Sequence, residues 1–352
     1  MKAAVTTGVK REIVIEDVPV PKVIPGTLLL KTKFCSICGT DLEYLDGTLE
    51  YRKGGALRQG AILGHEFSAE VVEIGEGVTG WSVGDRVTMN NARASSCGEC
   101  YYCRRRMYDL CLGKGNARAI YTEVSKGGYG GRNGAMAEYF RRPANSVLKL
   151  PDHVSNEEAT LVEPINVGVG AVEASGIKAG DTAVVIGAGK IGLGAMMCLK
   201  AAGASPVIMI DIHQKRLDKA LQMGADAALN AKEVDVIDEV VKLTEAGPDT
   251  VLICVRDGKV LNQSVDMVRR GGKIVVVGQV PPMEVNPGYW LVKQLRIEAV
   301  LSKAPMITAL NLIAHGQVDV KPMISKIIPL DEVQQGFDSI WSGENIVVLL
   351  QP

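Results

Sequence analysis

The first 150 residues carry short apolar runs broken by glycine: "TLLLKTKF", "FSAEVVEIG", "DRVTMN" and "AMAEYFRR", with the turn-rich "GEGVTGWSVGD" between two of them. Runs of this length, bounded by turn signals, predict strands and an all-β domain with loops. From about Pro151 the texture changes. Apolar strands now alternate with stretches of helical period: "TAVVIGAG" and "KIGLGAMMCLKAAG", "PVIMID" and "QKRLDKALQMGA", "DTVLICV" and "NQSVDMVRRGG", then "KIVVVG". That alternation predicts βαβ units around a parallel sheet. "LRIEAVL" reads as a last strand, and the tail mixes a strand, an amphipathic helix and a strand. The expected class is α/β. A β-domain is expected at 1–152, a doubly wound parallel-sheet domain at 153–300, and a C-terminal segment at 301–352.

Composition supports large cores, since 47% of the 352 residues are hydrophobic. The net charge of −1 gives no electrostatic reason to expect nucleic acid or an anionic membrane as partner. The basic run Arg104–Arg106 reads as a solvated face. The most apolar region, 183–210, is glycine-rich and contains Lys190 and Lys200, so no membrane span is expected. The N-terminus, "MKAAVTTGVKREIVIED", lacks the apolar segment and cleavage site of a secretory signal. The expected compartment is therefore the reducing cytoplasm, where stable disulfides are rare.

That expectation bears on "CGECYYCRRRMYDLC", which holds Cys97, Cys100, Cys103 and Cys111 in a C-x2-C-x2-C-x7-C pattern. Two-residue gaps let a tight turn aim successive sulfurs at one point, and a following loop returns the fourth. Four thiolates close a tetrahedral zinc shell and leave no open position, so the site is structural. The pattern departs from the ferredoxin run, in which the last gap is three and a proline follows.

The parallel region carries a nucleotide signal. "TAVVIGAGKIG" ends a buried strand with Gly187, Gly189 and Gly192, a G-x-G-x-x-G that opens a helix. Such glycines permit a tight turn and close approach of a pyrophosphate to a helix N-terminus. The next strand ends in Asp211, 24 residues after Gly187. A carboxylate there can accept hydrogen bonds from both adenosine-ribose hydroxyls and repels a 2′-phosphate, which favours NAD over NADP. Lys190, Ile191 and Gly278 are expected to share this cofactor surface.

Three further motifs bring metal-type donors. "SICGTDLE" holds Cys38 with Thr40 two residues on, "LGHEF" holds His65 and Glu66, and "LVEPINVG" holds Glu163. A thiolate, an imidazole and a carboxylate form a catalytic-type zinc set with one position left open. An open zinc position polarises an alcohol oxygen, after which a hydride can leave the carbon toward a nicotinamide.

Taken together, "SICGTD", "GHE", the four-cysteine lobe, "GAMAEY", "EPINVG" and "VIGAGKIG" resemble the zinc-dependent medium-chain dehydrogenase/reductases of the alcohol dehydrogenase superfamily, in order and in spacing. The resemblance covers essentially the whole chain. Its "EP" motif is similar to that of the sorbitol, threonine and butanediol dehydrogenase classes. The resemblance implies a GroES-like β-domain, then a Rossmann domain, then a tail returning to the first domain, with active sites in the cleft between them. It implies two zinc ions per chain, one of them held by Cys38, His65 and an acid that is either Glu66 or Glu163. It implies that Thr40 relays the alcohol proton, that Asp211 and Arg216 hold the adenosine end, and that the protein is a homo-oligomer, a tetramer or a dimer.

Two departures stand out. Many such proteins have His five residues after the zinc cysteine, where this chain has Glu43. Cys35 is an extra thiol, read as a small packed residue, and the loop 47–61 is expected to shape the substrate pocket. The expected activity is interconversion of a secondary alcohol and its ketone. The substrate classes are polyols, vicinal diols and β-hydroxy amino acids. Conjugate hydride transfer on an enone, or a non-catalytic metal-binding scaffold, are the competing readings.

Overall fold

The computed structural model describes residues 1–48, 57–90, 97–105, 107, 110–111, 133–300 and 304–352. Arg106 and most of the 47–61 loop lie outside these residues. The chain divides into two compact units. The first comprises Met1–Glu163, Pro305–Ala314 and Met323–Pro352, and the second Pro164–Ala304 and His315–Pro322.

Among the described residues, the strands in chain order begin with β1 (Lys2–Thr7), β2 (Ile13–Asp17), β3 (Thr27–Ser36), β4 (Gln59–Ile62), β5 (Glu66–Ile74), β6 (Arg86–Met89), β7 (Tyr139–Pro143) and β8 (Val147–Lys149). The second unit supplies β9 (Ala183–Ile186), β10 (Val207–Asp211), β11 (Ala227–Asn230), β12 (Thr250–Ile253), β13 (Lys273–Val276) and β14 (Arg296–Ala299). The tail returns to the first unit with β15 (Lys326–Pro329) and β16 (Val348–Gln351).

The helices are α1 (Gly39–Asp46), α2 (Asn156–Thr160), α3 (Val162–Ser175), α4 (Lys190–Ala201), α5 (Gln214–Gln222), α6 (Val236–Thr244), α7 (Lys259–Met267), α8 (Pro287–Lys293), α9 (Met306–Ala314) and α10 (Val333–Trp341). None of them is long and apolar enough to cross a membrane. Their starts follow local chemistry. At α2, Ser155 Oγ accepts the Glu158 N–H at 3.2 Å and Glu158 Oε2 accepts the Ser155 N–H at 2.8 Å, a reciprocal capping box.

The first unit is built on a small sheet of order β2-β1-β4 and a seven-stranded sheet. The larger sheet runs β15-β16-β3-β5-β6-β8, with β7 also on β3. Strand β3 is its centre, pairing antiparallel with β5, β7 and β16. It alternates little because most of its residues are buried, including Leu28, Leu30 and Cys35. Phe67 and Phe140 meet edge to face beneath it, with centroids 4.7 Å apart, a geometry that adds to burial. The tail strand β16 places Leu349 opposite Ser36 and Leu350 opposite Cys35, so the tail joins the sheet at the strand that leads into Cys38.

The second unit has one parallel sheet of order β11-β10-β9-β12-β13-β14. In its own numbering that order is 3-2-1-4-5-6, the doubly wound Rossmann arrangement, whose switch point lies between β9 and β12. Ligands in such sheets bind beyond the carboxyl ends of the strands at that point. The strands are apolar on both faces, as burial by helices requires: Ala183, Val184, Val185, Val251, Leu252 and Ile253 are all fully buried.

Candidate functional site

Strand β3 runs into Cys38, which caps the N-terminus of α1. Antiparallel pairing sets Ser36 opposite Glu66, the first residue of β5, so the turn holding His65 lies beside the helix start. One ligand atom each from Cys38, His65 and Glu66 lies within 4.8 Å of the others. Cys38 and His65 are half-buried and Glu66 is fully buried.

The backbone just before His65 is tightly packed. Gly64 has φ +96°, and a Cβ at that position would lie 2.6 Å from Cys35 Sγ and 2.9 Å from Met136 N. The extra thiol Cys35 is thus a fully buried packing partner of the glycine that precedes the histidine.

One residue absent from the sequence reading organises this site. Asp41 is fully buried. Its Oδ2 accepts the Cys38 backbone N–H at 2.9 Å, and its Oδ1 lies 3.8 Å from His65 Nδ1. The signal was present: an acid three residues after an N-cap is the capping-box pattern, and "CGTD" has it. Thr40 Oγ1 lies 3.1 Å from Cys38 Sγ. Glu43 stands on the same helix, half-buried. Glu163, the second residue of α3, is half-buried and is not a member of the three-residue donor set.

The second donor set is the four-cysteine lobe, whose ligand atoms all lie within 4.8 Å of one another. Cys97 and Cys103 sulfurs are 3.9 Å apart, as are those of Cys100 and Cys111. A disulfide needs about 2.05 Å, and all four cysteines are free thiols. A tetrahedron with about 2.3 Å bonds has edges of about 3.8 Å, so the sulfurs fit a closed zinc shell. Backbone amides turn inward as such a shell requires: Cys97 N–H donates to Cys111 Sγ at 3.2 Å and Cys100 N–H to Cys97 Sγ at 3.3 Å. Burial pushes the thiols of Cys198 and Cys254 up to about 12, which disfavours their thiolates.

In the second unit, the glycine turn follows β9. Each glycine has its own reason. Gly187 has φ +104°, and its Cβ would lie 2.5 Å from Val255 Cγ1. Gly192 packs so closely that a Cβ would lie 1.7 Å from Gly187 O. Gly189, the N-cap of α4, has open space where a Cβ would stand. Strain, open approach and helix–strand packing are the three demands of a dinucleotide turn. Gly278 meets the same segment from the other side, since its Cβ would lie 2.4 Å from Val255 O.

Lys190 and Ile191 open α4, the former buried and the latter half-buried. Asp211 ends β10 with its carboxylate nearly enclosed, and Arg216 sits in the first turn of α5, half-buried. The residue beside the turn that sequence reasoning missed is Val255, whose apolar side chain offers no motif.

Residues 24–152 match the profile described as alcohol dehydrogenase GroES-like domain, and residues 191–314 that described as zinc-binding dehydrogenase. Sorbitol dehydrogenase of Halalkalibacterium halodurans is 33% identical over 344 residues, which covers 96% of this chain and 95% of that protein. (R,R)-butanediol dehydrogenase of Neisseria gonorrhoeae is 34% identical over 354 residues, covering 97% and 96%. Among solved structures, alcohol dehydrogenase TADH from Thermus sp. ATN1 superposes with a TM-score of 0.87 at 30% identity, over 100% of this chain and 99% of that one.

Proposed function

Because the chain belongs to the zinc-type medium-chain alcohol dehydrogenase superfamily, with a GroES-like and a Rossmann domain, we propose that it oxidises a secondary alcohol to a ketone with NAD, or runs the reverse. It is a zinc-dependent alcohol dehydrogenase of the polyol and diol type. Polyols and vicinal diols are its substrate classes ahead of β-hydroxy amino acids.

The observation that carries the reading is the donor set of Cys38, His65 and Glu66, with ligand atoms within 4.8 Å of one another and the Thr40 hydroxyl 3.1 Å from the sulfur. Three protein donors of mixed type leave room for a substrate oxygen. Cys97, Cys100, Cys103 and Cys111 would hold a second zinc ion, which would close their lobe. When bound, zinc supplies Lewis acidity at the alcohol oxygen and NAD supplies the hydride acceptor.

The chain's own residues do the rest. Asp41 fixes the Cys38 backbone and faces the His65 ring. A hydroxyl donates and accepts at once, so Thr40 Oγ1 passes the substrate proton onward without becoming charged. Glu43, on the same helix, orders the path outward. Gly187, Gly189 and Gly192 let a pyrophosphate approach the N-terminus of α4, with Lys190, Ile191 and Gly278 around it. Asp211 and Arg216 hold the adenosine end, and the Asp211 charge disfavours a 2′-phosphate.

The test is cofactor reduction by the zinc-loaded protein across a panel of diols, polyols and hydroxy acids. NADH formation with one or more diols or polyols is expected, with a lower kcat/KM for NADP. Absence of turnover across the panel, or equal kcat/KM for the two cofactors, contradicts the proposal.

A further inference from the structure

Asp211 is 7% exposed, and its carboxylate is largely committed before any ligand arrives. Oδ1 accepts the backbone N–H groups of Ile212 at 2.7 Å and His213 at 2.9 Å. Oδ2 accepts the N–H of Ala188 at 2.7 Å. Ala188 is the fully buried residue between Gly187 and Gly189, so this bond ties the end of β10 to the middle of the glycine turn.

A carboxylate offers about four lone-pair sites. Three are filled here, and the remaining one is on Oδ2. That leaves one acceptor site for an adenosine-ribose hydroxyl.

The turn is closely packed at Gly187 and Gly192 and open at Gly189. Gly187 is in the left-handed region, and Gly189 has nothing within 4 Å of a Cβ position. Side-chain packing therefore does not confine the Gly189 side of the turn. Its fixed points are backbone contacts: Gly187 N–H donates to Ile210 O at 2.7 Å, and Ala188 N–H donates to Asp211. Removing an acceptor from a buried N–H costs that group its full desolvation.

We infer that Asp211 is a positioning residue for the phosphate-binding turn: it fixes the turn through the Ala188 N–H and meets the adenosine ribose with a single acceptor site. The inference rests on the dinucleotide reading proposed above. It makes a prediction at the turn itself that a residue which only recognises ribose does not make. A ribose-only Asp211, once removed, stops repelling a 2′-phosphate, and NADPH binds more tightly. A positioning Asp211, once removed, loosens the turn that holds the pyrophosphate, which NADH and NADPH share.

The experiment uses the zinc-loaded, full-length protein and the variants Asp211→Ala and Asp211→Asn. Dissociation constants for NADH and NADPH are measured by fluorescence titration. Deuterium uptake of the peptide spanning residues 186–192 is measured with no cofactor present. In Asp211→Ala, NADH is expected to weaken about tenfold or more, at a loss of one buried hydrogen bond and one ribose contact, and NADPH to change less, because relief of the 2′-phosphate repulsion offsets the loosened turn. Uptake at 186–192 rises, while peptides from β12 and β13 stay as protected as before. Asp211→Asn retains one carbonyl oxygen and falls between, and it stands in should the alanine variant fail to fold. Unchanged uptake at the turn overturns the inference. If the unmutated protein binds neither dinucleotide, the NAD reading fails, and the uptake comparison still decides whether Asp211 holds the turn.

Discussion

Asp41 accepts the backbone N–H of Cys38 on Oδ2 at 2.9 Å. The bond fixes the residue that bears the candidate metal thiolate, and the carboxylate's other oxygen faces the His65 ring. Groups behind metal ligands typically carry about 10- to 100-fold of metal affinity. Asp41→Ala is therefore expected to lose zinc selectively from the Cys38 site, leaving about one ion per chain after mild chelation, held by the four cysteines. Metal analysis with and without chelator checks it; two retained ions would remove Asp41 from the account.

The acid that completes this set is expected to be Glu66. Its carboxylate lies with Cys38 and His65, whereas Glu163 is outside that set. Glu66→Gln should lower zinc occupancy and turnover together. Glu163→Gln should keep zinc and change KM or kcat less. Zinc loss in the Glu163 variant alone would reverse the assignment.

The two cysteine sites should fail in different ways. The four-thiolate site closes a lobe, so Cys100→Ser should lower the melting temperature and expose the lobe to protease. Cys38→Ser should abolish turnover, about a hundredfold or more, with a melting temperature near that of the parent. Thermal unfolding and single-turnover rates read the two effects separately. Equal unfolding of both variants would contradict the division into a structural and a catalytic ion.

Thr40 and Glu43 share one helix, and the roles proposed for them differ. Positioned proton carriers contribute about 10²- to 10⁴-fold. Thr40→Val should lose about a hundredfold in kcat at unchanged zinc content, and Glu43→Gln should lose less. The check is kcat against pH for both variants and the parent. Near-normal turnover in Thr40→Val would remove the relay, and an equally deep loss in Glu43→Gln would make the glutamate an obligatory base.

Much of this was legible in the chain because it depends on local pattern. Alternating strands and helices after Pro151 predict the Rossmann sheet, and "GAGKIG" predicts the turn after β9. The tail's strand–helix–strand is also readable, but its return to β3 is known only from pairing. What stayed hidden depends on contacts made at a distance. Nothing in "CSICGTD" says that Cys35 packs on Gly64, or that Asp41 faces His65, since both require β3 and β5 to be side by side. Likewise nothing in the sequence says that the Asp211 carboxylate takes the Ala188 N–H. Choice between Glu66 and Glu163 is likewise invisible in spacing alone, because one follows the histidine directly and the other is nearly a hundred residues on.

The central claim is hydride transfer from a secondary carbinol carbon to NAD at the Cys38 site. It is tested most directly by label transfer, with a vicinal diol bearing deuterium on its carbinol carbons as substrate. The zinc-loaded protein should produce the hydroxyketone, a proton, and a reduced cofactor carrying one deuterium on its nicotinamide ring by mass spectrometry, and Cys38→Ser should produce neither. Reduced cofactor without the label, or labelled cofactor formed equally well by Cys38→Ser, would contradict the account.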